Sequence, residues 1–130
     1  MATKTVSVPL FDVHLTLIDS TQDAEAFVRE HSAEHVIMDE LLKCRGFYMP
    51  VTDAQGKEHR MLCVFDKETT MDTAVHESVH AAWAILRHCS VRVKPISDEE
   101  PLAYLTAWIA CATLRFLASQ KDLTPPETTA

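Results

Sequence analysis

The chain carries two histidine–glutamate patterns written in opposite orders, His31-Ser32-Ala33-Glu34-His35 and His76-Glu77-Ser78-Val79-His80. In each, two imidazoles lie four residues apart. That is about one turn of an α-helix, so both rings can reach a single ion. The contexts differ. Between Thr73 and Leu86 the only Asp, Glu, Lys or Arg is Glu77, so His76 and His80 are polar rings on a helix otherwise suited to burial. Imidazoles facing an apolar interior need partners, and a zinc ion would serve both. The earlier pattern sits among Arg29, Glu30, Asp39 and Glu40. It reads as the solvated face of a surface helix, with pairs such as Arg29 and Glu34.

These residues need elements to position them. The segment "TVSVPLFDVHLTLI" reads as one or two strands, with Pro9 marking a break or an edge. The stretch from Ser20 to Cys44 reads as helical and capped by Ser20 or Thr21, and Gly46 ends that region. "GFYMPV" and "RMLCVF" read as strands joined by a turn at Gly56. A central helix follows, opened by a Thr69–Asp72 capping box, and then a second buried helix opened by Ser97 and Glu100. Trp83 and Trp108 are expected to pack these two helices together. The order predicts an α+β fold, a small sheet packed with helices. Residues 1–120 form a single domain and 121–130 a polar, disordered tail.

Composition narrows the function classes. The chain has 130 residues, 19 acids against 12 Lys and Arg, and a formal net charge of −7. Without a basic run it is a poor partner for nucleic acid or an anionic membrane. The N-terminus shows no apolar signal segment, and the apolar run of the last helix stops at Arg115, which points to a buried helix rather than a membrane span. Cys44, Cys63, Cys89 and Cys111 form no C-x-x-C pair and are expected as reduced thiols in a cytoplasm.

Both histidine–glutamate orders occur in zinc peptidases, but the inverted one belongs to much larger proteins. "TAVHESVHAAWAIL" followed by "DEEPLAYLTAWI" resembles a zincin-like metallopeptidase domain of the gluzincin kind. More closely it resembles the small single-domain H-E-x-x-H proteins of bacteriophage and prophage genomes. The likeness covers roughly Asp66 to Phe116. Trp83 and Leu86 stand where the metzincin pattern needs Gly and His, which excludes that subclass. The resemblance implies an active-site helix, an upstream edge strand ("RMLCVF") lining the cleft, and zinc held by His76, His80 and a Glu at the start of the following helix. Glu100 heads a stripe through Tyr104, Ala107, Cys111 and Leu114 and is the favoured ligand. Glu99 is the alternative.

On this reading Glu77 is the general base toward a zinc-activated water. Tyr104, one turn after Glu100, is a candidate donor to the developing oxyanion. The substrate would be a peptide or protein, and a phage-encoded chain would act in the host cytoplasm. The competing expectation is a non-catalytic interaction protein that uses the same scaffold to bind a host factor, with the metal serving structure.

Overall fold

The computed structural model describes residues 3–91 and 99–122, with side chains as far as Gln120. It is an α+β fold: a four-stranded mixed sheet and three helices. The strands are β1 (Thr3–Val8), β2 (Val13–Ile18), β3 (Gly46–Thr52) and β4 (Glu58–Val64), and the helices are α1 (Thr21–His31), α2 (Thr70–His88) and α3 (Glu100–Asp122). The sheet order is β1-β2-β4-β3, with a parallel β2–β4 pair between two antiparallel hairpins. The break expected at Pro9 is a turn that places Leu10 (φ 73°) and Asp12 (φ 49°) in the left-handed region, and Gly56 (φ 82°) shapes the β3–β4 turn.

Alternation along the strands builds two cores. Val13, Leu15, Leu17, Leu62 and Val64 face Ala81, Ala82, Ile85 and Leu86 of α2 and Leu105, Ile109 and Phe116 of α3. Ile18, Phe47, Val51, Met61 and Cys63 face Ala24, Phe27 and Val28 of α1, with Met38 closing the layer. Each fully buried aliphatic side chain contributes about 1.5–3 kcal/mol. The sheet is therefore covered on both faces.

This arrangement corrects the placement of "RMLCVF". Met61, Leu62, Cys63 and Val64 are all 0–1% exposed, because four successive apolar residues can be buried only in a strand covered on both sides. β4 is interior, and the edge strand beside α2 is β3. Gly46 begins β3 where α2 crosses closely. A Cβ there would stand 2.4 Å from the Cys63 carbonyl oxygen and 2.8 Å from Thr73 Cγ2.

The expected helix from Ser20 to Cys44 is also shorter. Ser20 caps α1 through the Asp23 N–H at 3.1 Å, but the helix stops at His31. Ser32 turns its hydroxyl onto the backbone of Glu34, donating to the carbonyl at 2.8 Å, and the Ala33 N–H leaves to bond the Thr52 carbonyl at 2.9 Å. Such local bonds compete with helix continuation. Arg29 and Glu34 consequently do not share a helix face. A 3-10 turn at Leu41–Lys43 is all that remains helical before β3.

α2 starts as expected but by another device. Thr69 is the cap residue without a side-chain cap bond of its own. Asp66 does the work: its carboxylate accepts from the Glu68 N–H (2.9 Å), the Thr69 N–H (3.1 Å) and the Thr73 hydroxyl (3.2 Å), and also from the Thr69 hydroxyl. The second capping box depends on Ser97, which lies outside the described residues, as does the tail from 123. α3 is long and apolar enough, over Glu100–Gln120, to cross a membrane by length and composition alone. In this fold its stripe of Leu105, Ile109, Thr113 and Phe116 is buried.

Candidate metal centre

α2 buries residues in pairs. Thr73, Ala74, Glu77, Ser78, Ala81, Ala82, Ile85 and Leu86 are buried, whereas Val75, His76, Val79, His80 and Trp83 are exposed. The two histidines therefore face solvent, not the interior, and the expectation of imidazoles in need of buried partners is corrected. Their geometry still suits an ion. His76 Nε2 and His80 Nε2 are 3.2 Å apart, with ring centroids 4.9 Å apart at 69°. Two nitrogens bound to zinc at about 2.0–2.1 Å with tetrahedral angles stand roughly 3.3 Å from each other. The spacing equally suits one neutral ring donating to the other.

Glu77 is the buried member of the motif. Its side chain is 11% exposed, and its carboxylate lies 3.8 Å from His76 Nε2. It opens onto a cleft of about 400 Å³ between α2 and β3, shared with His80, Trp83, Arg87 and Tyr48. The Cys63 thiol is pushed well above its ordinary value, first by burial and then by the Glu77 charge.

Tyr48, on edge strand β3, was not singled out by the sequence pattern. Its hydroxyl is buried, facing the Arg60 guanidinium. Burial raises its pKa, against the lowering effect of the Arg60 guanidinium. A tyrosine inside an apolar strand was the available sequence signal, because a buried phenol needs a place for its hydroxyl.

The outer edge of β3 is short. The Asp53 N–H bonds inward to the Lys57 carbonyl, so alternation turns the backbone groups of Gly46, Tyr48, Pro50 and Thr52 outward. The Thr52 carbonyl is taken by Ala33 and Pro50 has no N–H. The open part of the edge is thus at Gly46 and Tyr48, beside Glu77.

The remaining candidates lie elsewhere. Glu99 and Glu100 are exposed at the start of α3, and Tyr104, 49% exposed, does not line the cleft. The stripe from Glu100 through Tyr104, Ala107 and Cys111 faces solvent, whereas the buried stripe runs through Leu105 and Ile109. Among the described residues no three His, Cys, Asp or Glu side chains converge to hold one ion. The structure brings His76, Glu77 and His80 together and does not bring Glu100 to them. Trp83 is 41% exposed rather than core, and only Trp108 packs into the α2–α3 layer. His31 closes α1 and His35 lies beyond it, so the first pattern forms no helical pair.

No protein-family model, curated protein or solved structure matches the chain.

Proposed function

We propose that this chain is a zinc-dependent peptide hydrolase of zincin-like design, with α2 as the active-site helix and β3 as the strand that receives an extended substrate. The observation that carries this reading is Glu77. Its carboxylate, 11% exposed and 3.8 Å from His76 Nε2, opens onto the α2–β3 cleft beside a pair of imidazole nitrogens spaced for one ion.

Zinc, when bound, would polarise a peptide carbonyl and acidify a water. His76 and His80 supply two of its ligands, and Glu100 remains the proposed third, which requires the start of α3 to approach α2. The chain's own contribution is proton handling at the Glu77 carboxylate, which takes a proton from water and returns it to the leaving amine. The Tyr48 side chain lines the cleft with Glu77 and takes the place of Tyr104 as the proposed donor to the developing oxyanion, which requires its buried hydroxyl to turn from Arg60 into the cleft. The Gly46–Tyr48 backbone can pair with a few residues of an extended peptide.

Metal analysis tests the reading first. The purified protein is expected to hold about one equivalent of zinc, and a His76→Ala, His80→Ala double variant to hold none. Undiminished zinc in that variant would overturn the proposal.

A second reading is supported by a separate observation. Met71 (63% exposed), Val75 (41%), Val79 (36%) and Trp83 (41%) form an apolar stripe beside the histidine pair. Exposed apolar patches mark contact surfaces, so the chain would then be a binding module with no turnover. Under that reading Glu77→Gln leaves the biological effect in place.

A further inference from the structure

The outer face of α2 repeats at helical spacing. Asp72, His76, Val79, Trp83 and Arg87 follow one another at intervals of four, three, four and four residues, so they lie along one line of the helix, with Val75 and His80 flanking it. All seven are exposed, and the His76 side chain is 68% exposed. The opposite side of α2 is buried in the core, through residues such as Ala74, Ala81 and Ile85. The line has no Asp, Glu, Lys or Arg in its middle. It is charged only at its ends, with Asp72 in the first turn of the helix and Arg87 in the last. Neither has an ion-pair partner among the described residues.

That pattern is complementary to itself. A two-fold axis perpendicular to α2 sets a second copy of the helix antiparallel to the first, which brings Asp72 of each chain toward Arg87 of the other. The midpoint between Asp72 and Arg87 falls between Val79 and His80, so the histidine pairs of both copies lie beside the axis. Each pair holds its nitrogens 3.2 Å apart, close to the separation of two ligands on one tetrahedral zinc. Two ligands are half of a closed zinc site. Among the described residues of one chain no third His, Cys, Asp or Glu joins them, whereas two copies supply all four.

We propose that limiting zinc joins two copies of this chain through α2, one ion being held by His76 and His80 of both. Val75, Val79 and Trp83 then pack around the ion and leave solvent. Without the metal the contact is too small to persist, since one helix face falls far short of the roughly 20–30 residues a side of a stable interface. This dimer rests on the zinc site of the hydrolase reading and regulates it. The bridging ion has no open position for water, so the dimer is the closed form. Zinc in excess gives each chain its own ion and, by mass action, returns the open monomer.

The metal-free full chain is titrated with zinc chloride, and its mass by sedimentation is read together with its bound zinc. The mass should rise from 14.6 kDa toward about twice that value. It should peak near one ion per two chains, fall as zinc exceeds the chain, and return to the monomer's on adding EDTA. Val79→Lys, at an exposed position on the contact line, should hold about one zinc per chain with an unchanged melting temperature, yet stay monomeric throughout the titration. Arg87→Glu should weaken the zinc-loaded dimer by about threefold or more, and adding Asp72→Lys should restore the parent's affinity. Zinc bound at about one ion per chain with the mass unchanged throughout would overturn the dimer and leave the hydrolase reading standing. No bound zinc at all would overturn both. A dimer that forms without zinc, persists in Val79→Lys, or is not rescued by the charge exchange would also overturn the proposal.

Discussion

Replacing the Glu77 carboxylate with glutamine's amide keeps the side chain's size and removes its charge from a site 11% exposed. The Glu77→Gln protein is therefore expected to melt at the same temperature as the parent or higher, and to hold the same zinc. If the proposed chemistry is right, its cleavage of a peptide library, read by mass spectrometry, falls at least about a hundredfold. Tyr48→Phe asks a different question. It deletes a buried hydroxyl that faces the Arg60 guanidinium, so stability should fall by about 1 kcal/mol. A donor role predicts a fall in kcat of about tenfold or more with KM unchanged, and a packing role predicts no change in kcat. At this scale the sequence was informative about His76, Glu77 and His80, because spacing on one helix fixes their proximity. It was uninformative about Tyr48, which reaches Glu77 only through the α2–β3 crossing. It left the packed face of α3 open, because a helix of alternating small and large residues offers two plausible faces, and packing against α2 selects the one through Leu105 and leaves Glu100 and Tyr104 exposed.

Single elements depend on a few contacts. Asp66 holds the start of α2, and its pKa is lowered from 3.8 to about 2, first by the Thr69 hydroxyl and then by the Glu68 N–H. A group whose folded pKa is depressed contributes stability above its unfolded value and loses it as pH falls through the folded one. Asp66→Ala should thus lower Tm by about 3–5 °C at neutral pH, the usual effect of losing one capping interaction in a domain of this size. Its gap from the parent should close between pH 4 and pH 2. A gap independent of pH would show that the cap does not act through the carboxylate. Ile85 is fully buried between the helices and the sheet, so Ile85→Ala should cost about 2–5 kcal/mol, seen as a lower urea midpoint with unchanged slope. Strand and helix types were legible from periodicity. The end of α1 was not, because the bond from Ala33 to Thr52 that draws the chain away is made between residues far apart in sequence.

Across the whole molecule, the α+β class followed from the order of elements, while the sheet order β1-β2-β4-β3 did not. Interior and edge strands could have been told apart by one feature: "MLCV" has no polar position to show to water, whereas "GFYMPVT" has Pro50 and Thr52. That Pro50 also bears on how many copies of the chain behave together. A free strand edge is a template for fibril growth, and here the missing N–H of Pro50 and the capture of Thr52 by Ala33 leave β3 too short a run to recruit another sheet. Pro50→Val would restore a donor and lengthen the exposed ladder. Concentrated solutions of that variant are expected to form thioflavin-positive assemblies sooner than the parent at equal Tm. Identical lag times would mean that the aggregation resistance of this chain lies somewhere other than the β3 edge.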